Sequence, residues 1–219
     1  MEPLTISTAR GSAVPDRDEY AVAVAARLFL RDGLANVKMV DIAESAGVGV
    51  ATLYRHFSTK GNIAVAAATL LWRRFNQQLR EIASTPEFAS SNGLGRLEML
   101  LNAYCDAYLV NGDFVRFLDE FDHLALAGQL PAQDLEAYGA EVDSLYEIFE
   151  SSYELGRADG SIARAIDFRM FYLALAHALI GVAQKLRRGE VIPSDDFSCA
   201  QEELGCIVKM AIWSLSQVS

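Results

Sequence analysis

Residues 40–60, VDIAESAGVGVATLYRHFSTK, are the segment that most narrows what this chain can fold into. Their apolar residues have the spacing of two short helices. The small apolar face of the first helix consists of Ile42, Ala43 and Ala46. Gly47 stands between the helices, where a sharp turn needs the left-handed conformation that is costly for a residue with a Cβ. Val48 and Leu53 can fill the gap between the helices, so the segment predicts a helix-turn-helix.

The second helix of this segment and its exit carry hydroxyl, aromatic and basic side chains, which suits a helix that enters a DNA major groove. Arg55 is the candidate for a base contact, because a guanidinium can address O6 and N7 of guanine together; a plain phosphate contact is the equal alternative. Val50 and Ala51 offer methyl groups to thymine, and Lys38 could reach a phosphate. The predicted DNA-contacting residues are Lys38, Gly49, Val50, Ala51, Thr52, Tyr54, Arg55, His56 and Lys60.

The charge of the chain is divided unevenly. Its formal net charge is −10, which by itself argues against a nucleic-acid-binding protein. Residues 1–60 contain 7 basic and 7 acidic residues, whereas residues 61–219 contain 12 and 22. All of the excess negative charge therefore lies outside the predicted DNA-binding segment, where it should limit indiscriminate binding and orient the molecule on DNA.

Three scattered cysteines do not form a disulfide framework. Cys105, Cys199 and Cys206 are expected to be small buried apolar residues in a reducing compartment. Residues 1–20 lack the apolar core of a secretory signal. The sequence therefore predicts a cytoplasmic protein.

One apolar run resembles a membrane span but is too short to be one. Residues 170–183 are apolar or glycine except for His177, and they number 14, whereas a helix that crosses a bilayer needs about 20. A short helix that is apolar on all sides is buried on both faces. We therefore expect no membrane insertion and place this helix at a subunit interface.

Helical spacing of apolar residues continues through nearly the whole chain, and no strand pattern interrupts it. We predict an all-α fold of about nine helices, with a three-helix N-terminal unit and a larger helical body. The predicted parts are a flexible arm (1–15), a helix-turn-helix DNA-binding domain (16–61) and an effector-binding and dimerisation domain (62–219). Within the body, a loop is expected over residues 87–95 and one unbroken helix over residues 135–153.

The body is rich in aromatic residues, each of which alone is typical of an ordinary core. Their number predicts a large, mostly apolar pocket with a few hydroxyl groups, suited to a hydrophobic or aromatic effector. His177 needs a hydrogen-bond partner, which could be a tyrosine, its mate across a two-fold axis or a ligand. The candidate pocket residues are Tyr104, Tyr108, Phe117, Phe121, Tyr146, Phe149 and His177.

Residues 18–63 resemble the TetR-type (tetracycline-repressor-like) transcriptional regulators. The resemblance is specific, because many positions match together. They are Val22, Val24, Ala25, Leu28, Phe29, Gly33, Asp41, Ile42, Ala43, Ala46, Gly47, Val48, Thr52, Leu53, Tyr54, His56, Phe57 and Lys60. The resemblance implies a homodimer that binds a palindromic double-stranded DNA operator, pairs through helices near residues 168–188 and 198–216, and holds a small-molecule effector in the body.

In this resemblance Thr52, Tyr54, His56 and Lys60 occupy the positions that hold phosphates in the family. The chain departs from the family's pattern at four places. Lys38 replaces a serine or threonine, Gly49 replaces a serine cap, and Gly61 replaces an acidic residue. Val50 and Ala51 stand where polar or basic residues are common. The segment is therefore better equipped to hold phosphates than to distinguish bases.

An enzyme and a co-regulator are the two alternatives to a DNA-binding repressor. An enzyme is not expected, because His56, His123 and His177 are dispersed and no metal-ligand spacing, nucleophile elbow or phosphate-binding glycine loop occurs. No cofactor or metal is expected either. The stronger alternative is a helical dimeric co-regulator that acts through protein partners with little specific DNA binding.

Overall fold

Helices form wherever apolar residues repeat at helical spacing. The computed structural model describes Pro3, Leu4, Ile6 and residues 17–188 and 198–216. In these residues there are eleven α-helices, one short 3₁₀ helix and no strand, so the all-α prediction is confirmed. The α-helices are α1 (Arg17–Asp32), α2 (Met39–Ala46), α3 (Val50–Phe57), α4 (Lys60–Ala83), α5 (Pro86–Ser90), α6 (Gly93–Val110), α7 (Gly112–Leu126), α8 (Ala132–Val142), α9 (Tyr146–Asp159), α10 (Phe168–Arg188) and α11 (Ala200–Ser216).

The described residues form two compact units. The first unit combines Leu4–Arg74 with Arg116–Asp143, and the second combines Phe75–Val115 with Ser144–Ser219. The helices α4 and α7 each contribute to both units along the chain. Of the predicted flexible arm, residues 1–15, only Pro3, Leu4 and Ile6 belong to the described residues. The predicted domain boundaries at residues 16 and 62 stay a prediction.

The first unit is built around a line of aromatic rings. Phe29 of α1 stacks on Phe117 of α7 with ring centroids 6.0 Å apart, and Phe121 lies 5.9 Å from Phe117. Tyr138 of α8 follows at 4.9 Å from Phe121 and accepts a hydrogen bond of 3.1 Å from the indole N–H of Trp72. These rings join α1, α7, α8 and the first part of α4 into one core.

The second unit has its own aromatic core around Phe75 in the second half of α4. The ring of Phe75 lies 5.2 Å from Tyr104, 5.3 Å from Tyr108 and 5.5 Å from Phe114. In the same unit α6 and α9 meet at two glycines. A Cβ on Gly93 would lie 2.0 Å from the backbone nitrogen of Gly156. The two backbones can approach this closely because Gly93 has no side chain, whereas a Cβ on Gly156 would lie 2.5 Å from the side chain of Ile162.

Two details of the predicted body are wrong, which is why there are more helices than the nine expected. The predicted loop over residues 87–95 contains α5 and the start of α6. Thr85 caps α5 by accepting a hydrogen bond from Phe88 N, and Asn92 caps α6 by accepting one from Gly95 N. The predicted single helix over residues 135–153 is divided into α8 and α9 by a 3₁₀ turn.

The cysteines differ in burial. Cys105 in α6 is buried as expected, but Cys199 and Cys206 are exposed in the single chain, which contradicts the expectation for these two. Among the residues that the structure describes, none of the helices combines the length and apolarity that a bilayer crossing demands.

Candidate nucleic-acid interface

The helices α2 and α3 form the predicted helix-turn-helix. Gly47 ends α2 with φ 65° and ψ 35°, the left-handed conformation that the sequence predicted for it. At the start of α2, the carboxylate of Asp41 accepts a hydrogen bond of 2.7 Å from the backbone N–H of Lys38. Gly49 caps α3 without a side chain. Leu53 is 3% exposed and fixes α3 in the unit. Val50, Ala51, Tyr54, Arg55 and His56 are exposed on the same helix.

Most predicted DNA-contacting residues lie on the surface. The side chains of Tyr54 and Val50 are 48% and 37% exposed, so neither is a core residue in the single chain. Thr52 and Lys60 are half-buried. The exposed members of the predicted set are Lys38, Gly49, Val50, Ala51, Tyr54, Arg55 and His56. Seven of the nine residues are therefore exposed on α3 and its flanks. Their contact with DNA stays a prediction.

His56 is paired within the protein. Its imidazole Nδ1 lies 2.8 Å from the carboxylate Oδ2 of Asp18 in α1, and the side chains of His56 and Asp18 are 39% and 41% exposed. The distance is that of a charge-assisted hydrogen bond. This contact ties α1 to α3. The other ring nitrogen of His56, Nε2, takes no part in it.

Lys60 is also engaged. Its ammonium donates a hydrogen bond of 3.2 Å to the carbonyl oxygen of Ala35 in the connector between α1 and α2. Partial burial lowers the pKa of Lys60, and the charges of Glu120 and Asp41 oppose this shift. An ammonium has three donors, so the contact with Ala35 leaves hydrogens that a phosphate oxygen could accept.

The connector between α1 and α2 is held by α7. The carboxylate of Glu120 accepts hydrogen bonds from the backbone N–H groups of Leu34 and Ala35. The guanidinium of Arg116 donates to the carbonyl oxygen of Leu30 at the end of α1. These contacts lie within the first unit and fix the position of the helix-turn-helix on α7.

The exit from α3 is a tight turn. Ser58 has φ 54° and ψ −51°, and Thr59 N donates to Phe57 O across it, which makes a γ-turn. Close behind the turn, a Cβ on Gly61 would lie 2.3 Å from the carbonyl oxygen of Gln129. This contact explains why Gly61 stands where the family usually has an acidic residue. The loop after α7 packs directly on the first turn of α4.

A surface concavity lies between α1 and α3. Its volume is about 180 Å³. It is lined by Arg17, Asp18, Ala21, Val48, Thr52, Leu53, Arg55 and His56. Arg17 was missed at the sequence level, since its distance of 38 residues from Arg55 gives no sign that the two line one depression.

The second unit contains a narrow apolar cavity. Every lining residue is aliphatic or aromatic. The volume of the cavity is only about 20 Å³, which is room for about one water molecule. The lining residues are Leu97, Leu101, Tyr104, Phe149, Phe168, Phe171, Tyr172, Leu175, Ala176 and Leu179.

The structure brings only part of the predicted pocket set to this cavity. Tyr104 and Phe149 line it with their ring centroids 6.0 Å apart. Tyr108 is buried beside Tyr104, and Tyr146 lies 5.2 Å from the lining ring of Tyr172. The others lie elsewhere: Phe117 and Phe121 are in the core of the first unit, and His177 is exposed on α10. Ligand contact by any of the seven stays a prediction.

One face of α10 and one face of α11 are apolar and exposed in the single chain. Met170, Met210 and Trp213 are 63%, 59% and 65% exposed. The other exposed residues at helical spacing on α10 are Ala174, His177, Ala178 and Gly181. The helix predicted to be buried on both faces therefore has one face against its own chain and one face uncovered.

Residues 21–67 match the sequence model of a family described as bacterial regulatory proteins, tetR family. This match covers α1, α2, α3 and the first turns of α4, apart from the start of α1. No curated protein matches the sequence. The matched segment contains the predicted DNA-contacting residues, and it confirms the resemblance on which their assignment rests.

Several solved structures have the same fold. The fatty acid degradation regulator of Bacillus halodurans is 16% identical with a TM-score of 0.63, covering 94% of this chain and 97% of its own. A bacterial regulatory protein in the tetR family from a Rhodococcus is 18% identical with a TM-score of 0.61, covering 93% and 99%. The ketosteroid transcriptional regulator of Mycobacterium tuberculosis is 18% identical with a TM-score of 0.58, covering 97% and 100%. These likenesses show the fold.

Proposed function

We propose that this chain is a cytoplasmic repressor. It carries the N-terminal domain of the TetR family, and it has the fold of that family's transcriptional regulators rather than the fold of an enzyme. In this proposal a homodimer binds a palindromic operator through α3 and is released by a small hydrophobic or aromatic effector. The observation that carries the proposal is the exposed surface of α3 within the matched residues 21–67.

The outward side of α3 supports phosphate contacts more strongly than base contacts. Arg55 and Tyr54 are exposed, and Lys60 keeps free donors beside its bond to Ala35. Arg55 is the residue that we assign to a guanine, because its fork can donate to O6 and N7 together. Val50 and Ala51 can add only apolar contacts to thymine methyl groups. We therefore expect a short recognition sequence and a large phosphate contribution to affinity.

The uncovered apolar faces of α10 and α11 support pairing of two chains. Exposed methionine and tryptophan side chains on neighbouring helices are typical of an interface rather than of a monomer's surface. A two-fold dimer through α10 and α11 places two copies of α3 in one complex. Two-fold protein symmetry then requires a pseudo-palindromic operator.

The narrow cavity of the second unit supports an apolar effector. Its lining contains no charged side chain, so an uncharged or mostly apolar molecule is the class that it would accept. Two of the similar structures are a fatty acid degradation regulator and a ketosteroid transcriptional regulator, and both names refer to compounds that are mostly hydrocarbon. Because the cavity has room for only about one water molecule, the effector must select a more open conformation.

Release from DNA would then follow from differential affinity. An effector that binds only the open conformation weakens DNA binding if that conformation has the wrong separation of the two copies of α3. The helices α4 and α7 are the covalent route for this effect, because each contributes to both units. Trp72 on α4 offers a fluorescence signal for it.

Selection from a pool of random double-stranded DNA tests the proposal. The expected result is a palindrome with two half-sites one helical turn or more apart, bound by two chains. If no sequence is enriched while the protein is folded and dimeric, the repressor is refuted and the dimeric co-regulator takes its place. The exposed apolar side chains of Val50 and Ala51 at the start of α3 are the observation that favours this second candidate.

A further inference from the structure

The concavity between α1 and α3 contains one feature that the proposed DNA contacts do not use, the pair of Asp18 and His56. The two side chains come from different helices and meet through Oδ2 and Nδ1 at 2.8 Å. Both are more than a third exposed, so a ligand can reach the imidazole from solvent. Because Nδ1 is occupied by Asp18, a phosphate oxygen can use only Nε2.

The protonation state of His56 decides whether Nε2 can donate. A neutral imidazole has one N–H group and one lone pair. Beside the Asp18 carboxylate, the N–H of a neutral ring is on Nδ1, since a lone pair there would face an acceptor at 2.8 Å. Nε2 then carries the lone pair and repels a phosphate oxygen. The imidazolium, by contrast, has a donor on both nitrogens.

We propose that Asp18 is a positioning residue that makes the phosphate contact of His56 depend on a proton, so that DNA binding takes up one proton at each half-site. This inference rests on the proposed DNA-binding function and adds a regulation of it. In the complex, the imidazolium lies between two anionic groups, the Asp18 carboxylate and the phosphate. That arrangement stabilises its charge.

The other groups around the concavity set the strength of this effect. Arg17 of α1 and Arg55 of α3 also line it, and the turn after α2 contributes Val48. The two guanidinium groups favour the entry of an anion, and the anion in turn favours the imidazolium. The geometry therefore links the uptake of a proton to the arrival of a phosphate.

The test measures the affinity of the full-length protein for DNA against pH. The probe is a mixed-sequence duplex of about 30 base pairs in about 50 mM salt, since phosphate contacts do not need a particular sequence and are strong at low salt. Between about pH 8.5 and pH 6, where histidine titrates, the affinity of the wild-type protein is expected to rise about tenfold or more. Fluorescence anisotropy of a labelled duplex gives the dissociation constant.

Variants separate the proton-dependent contact from a structural contact. In Asp18→Asn the amide can donate to Nδ1, so a neutral ring can donate from Nε2. This variant should bind at pH 8.5 at least as tightly as the wild type and show a smaller rise at low pH. His56→Gln, which donates at every pH, should have a flat profile. His123→Gln removes a histidine of α7 outside the concavity and should keep the wild-type profile.

Four results would contradict the inference or its premise. A flat wild-type profile, or an unchanged pH dependence in Asp18→Asn, overturns the role of the pair while DNA binding itself stands. If Asp18→Asn and His56→Gln weaken binding by the same factor at every pH, the pair only holds α1 to α3. If the wild type binds no duplex at any pH, the proposed function fails together with this inference.

Discussion

A substitution at the contact of α6 and α9 is a direct test of the packing in the second unit. Gly93 begins α6, and its N–H donates to the carboxylate of Asp159 at 2.8 Å. An added Cβ would lie 2.0 Å from Gly156 N, 2.3 Å from Gly156 Cα and 2.5 Å from Ser152 O. All three atoms belong to the backbone, so no side chain can rotate away. We predict that Gly93→Ala destabilises the protein.

The size of the effect follows from these distances. Ordinary contact of a Cβ begins near 3.4 Å, so the two backbones must separate by about 1.4 Å along the shortest line. Overpacking of a close contact costs about 1–3 kcal/mol, and a contact between two backbones lies at the upper end. Replacing glycine by alanine in a helix raises the free energy of unfolding by about 0.5–1 kcal/mol, which offsets part of this cost. The expected net loss is about 2 kcal/mol, or a Tm lower by about 4–8 °C.

Thermal and urea unfolding followed by circular dichroism measure this loss. Gly139→Ala is the matched control, because Gly139 lies within α8 and no atom lies within 4 Å of its ideal Cβ. That control should raise the stability by about 0.5–1 kcal/mol. If Gly93→Ala is as stable as the wild type, or if both variants shift stability alike, the close approach of α6 and α9 is refuted.

Three further predictions test other parts of the molecule. Hydrogen bonds from the Ser161 side chain and from backbone N–H groups lower the pKa of Asp159, so its contribution to stability is present above about pH 4 and is lost as the pH falls. The urea midpoint of Asp159→Asn should therefore fall less steeply on acidification than that of the wild type. Trp213→Glu should weaken dimerisation by about 2 kcal/mol or more in sedimentation experiments, whereas Leu126→Glu, at another exposed apolar residue, should not. Arg55→Ala should reduce discrimination at one base pair by about 1–3 kcal/mol, whereas a Lys60 to alanine change should weaken binding to all sequences alike; identical behaviour of the two would contradict their assigned roles.

The parts of the fold that could be predicted from the sequence are those with a local cause. The left-handed conformation of Gly47 is predictable because a sharp turn between two short helices requires a residue with positive φ. The same kind of argument failed at residues 87–95. There the Ser, Asn and Gly content indicated a loop, but Thr85 and Asn92 are helix caps, and the same residue types favour both structures.

The parts that could not be predicted depend on contacts between residues far apart in sequence. Helical spacing predicts that Phe117 is buried. It does not show whether Phe117 packs on a ligand or, as in the structure, on Phe29. The pairing of Asp18 with His56 likewise appears only when α1 lies against α3. In the sequence, Gly61 is only a departure from the family's pattern. In the structure, the carbonyl oxygen of Gln129 lies where a side chain of residue 61 would begin.

The salt dependence of DNA binding tests the central claim most directly. We assign about four to six ionic phosphate contacts to a dimer, and each one releases condensed counterions. A plot of log K against log salt concentration should therefore have a slope of roughly −4 to −5, measured on the selected palindrome at constant pH. A slope near zero would contradict the conclusion that α3 and its flanks, with Arg55 and Lys60, hold the DNA backbone.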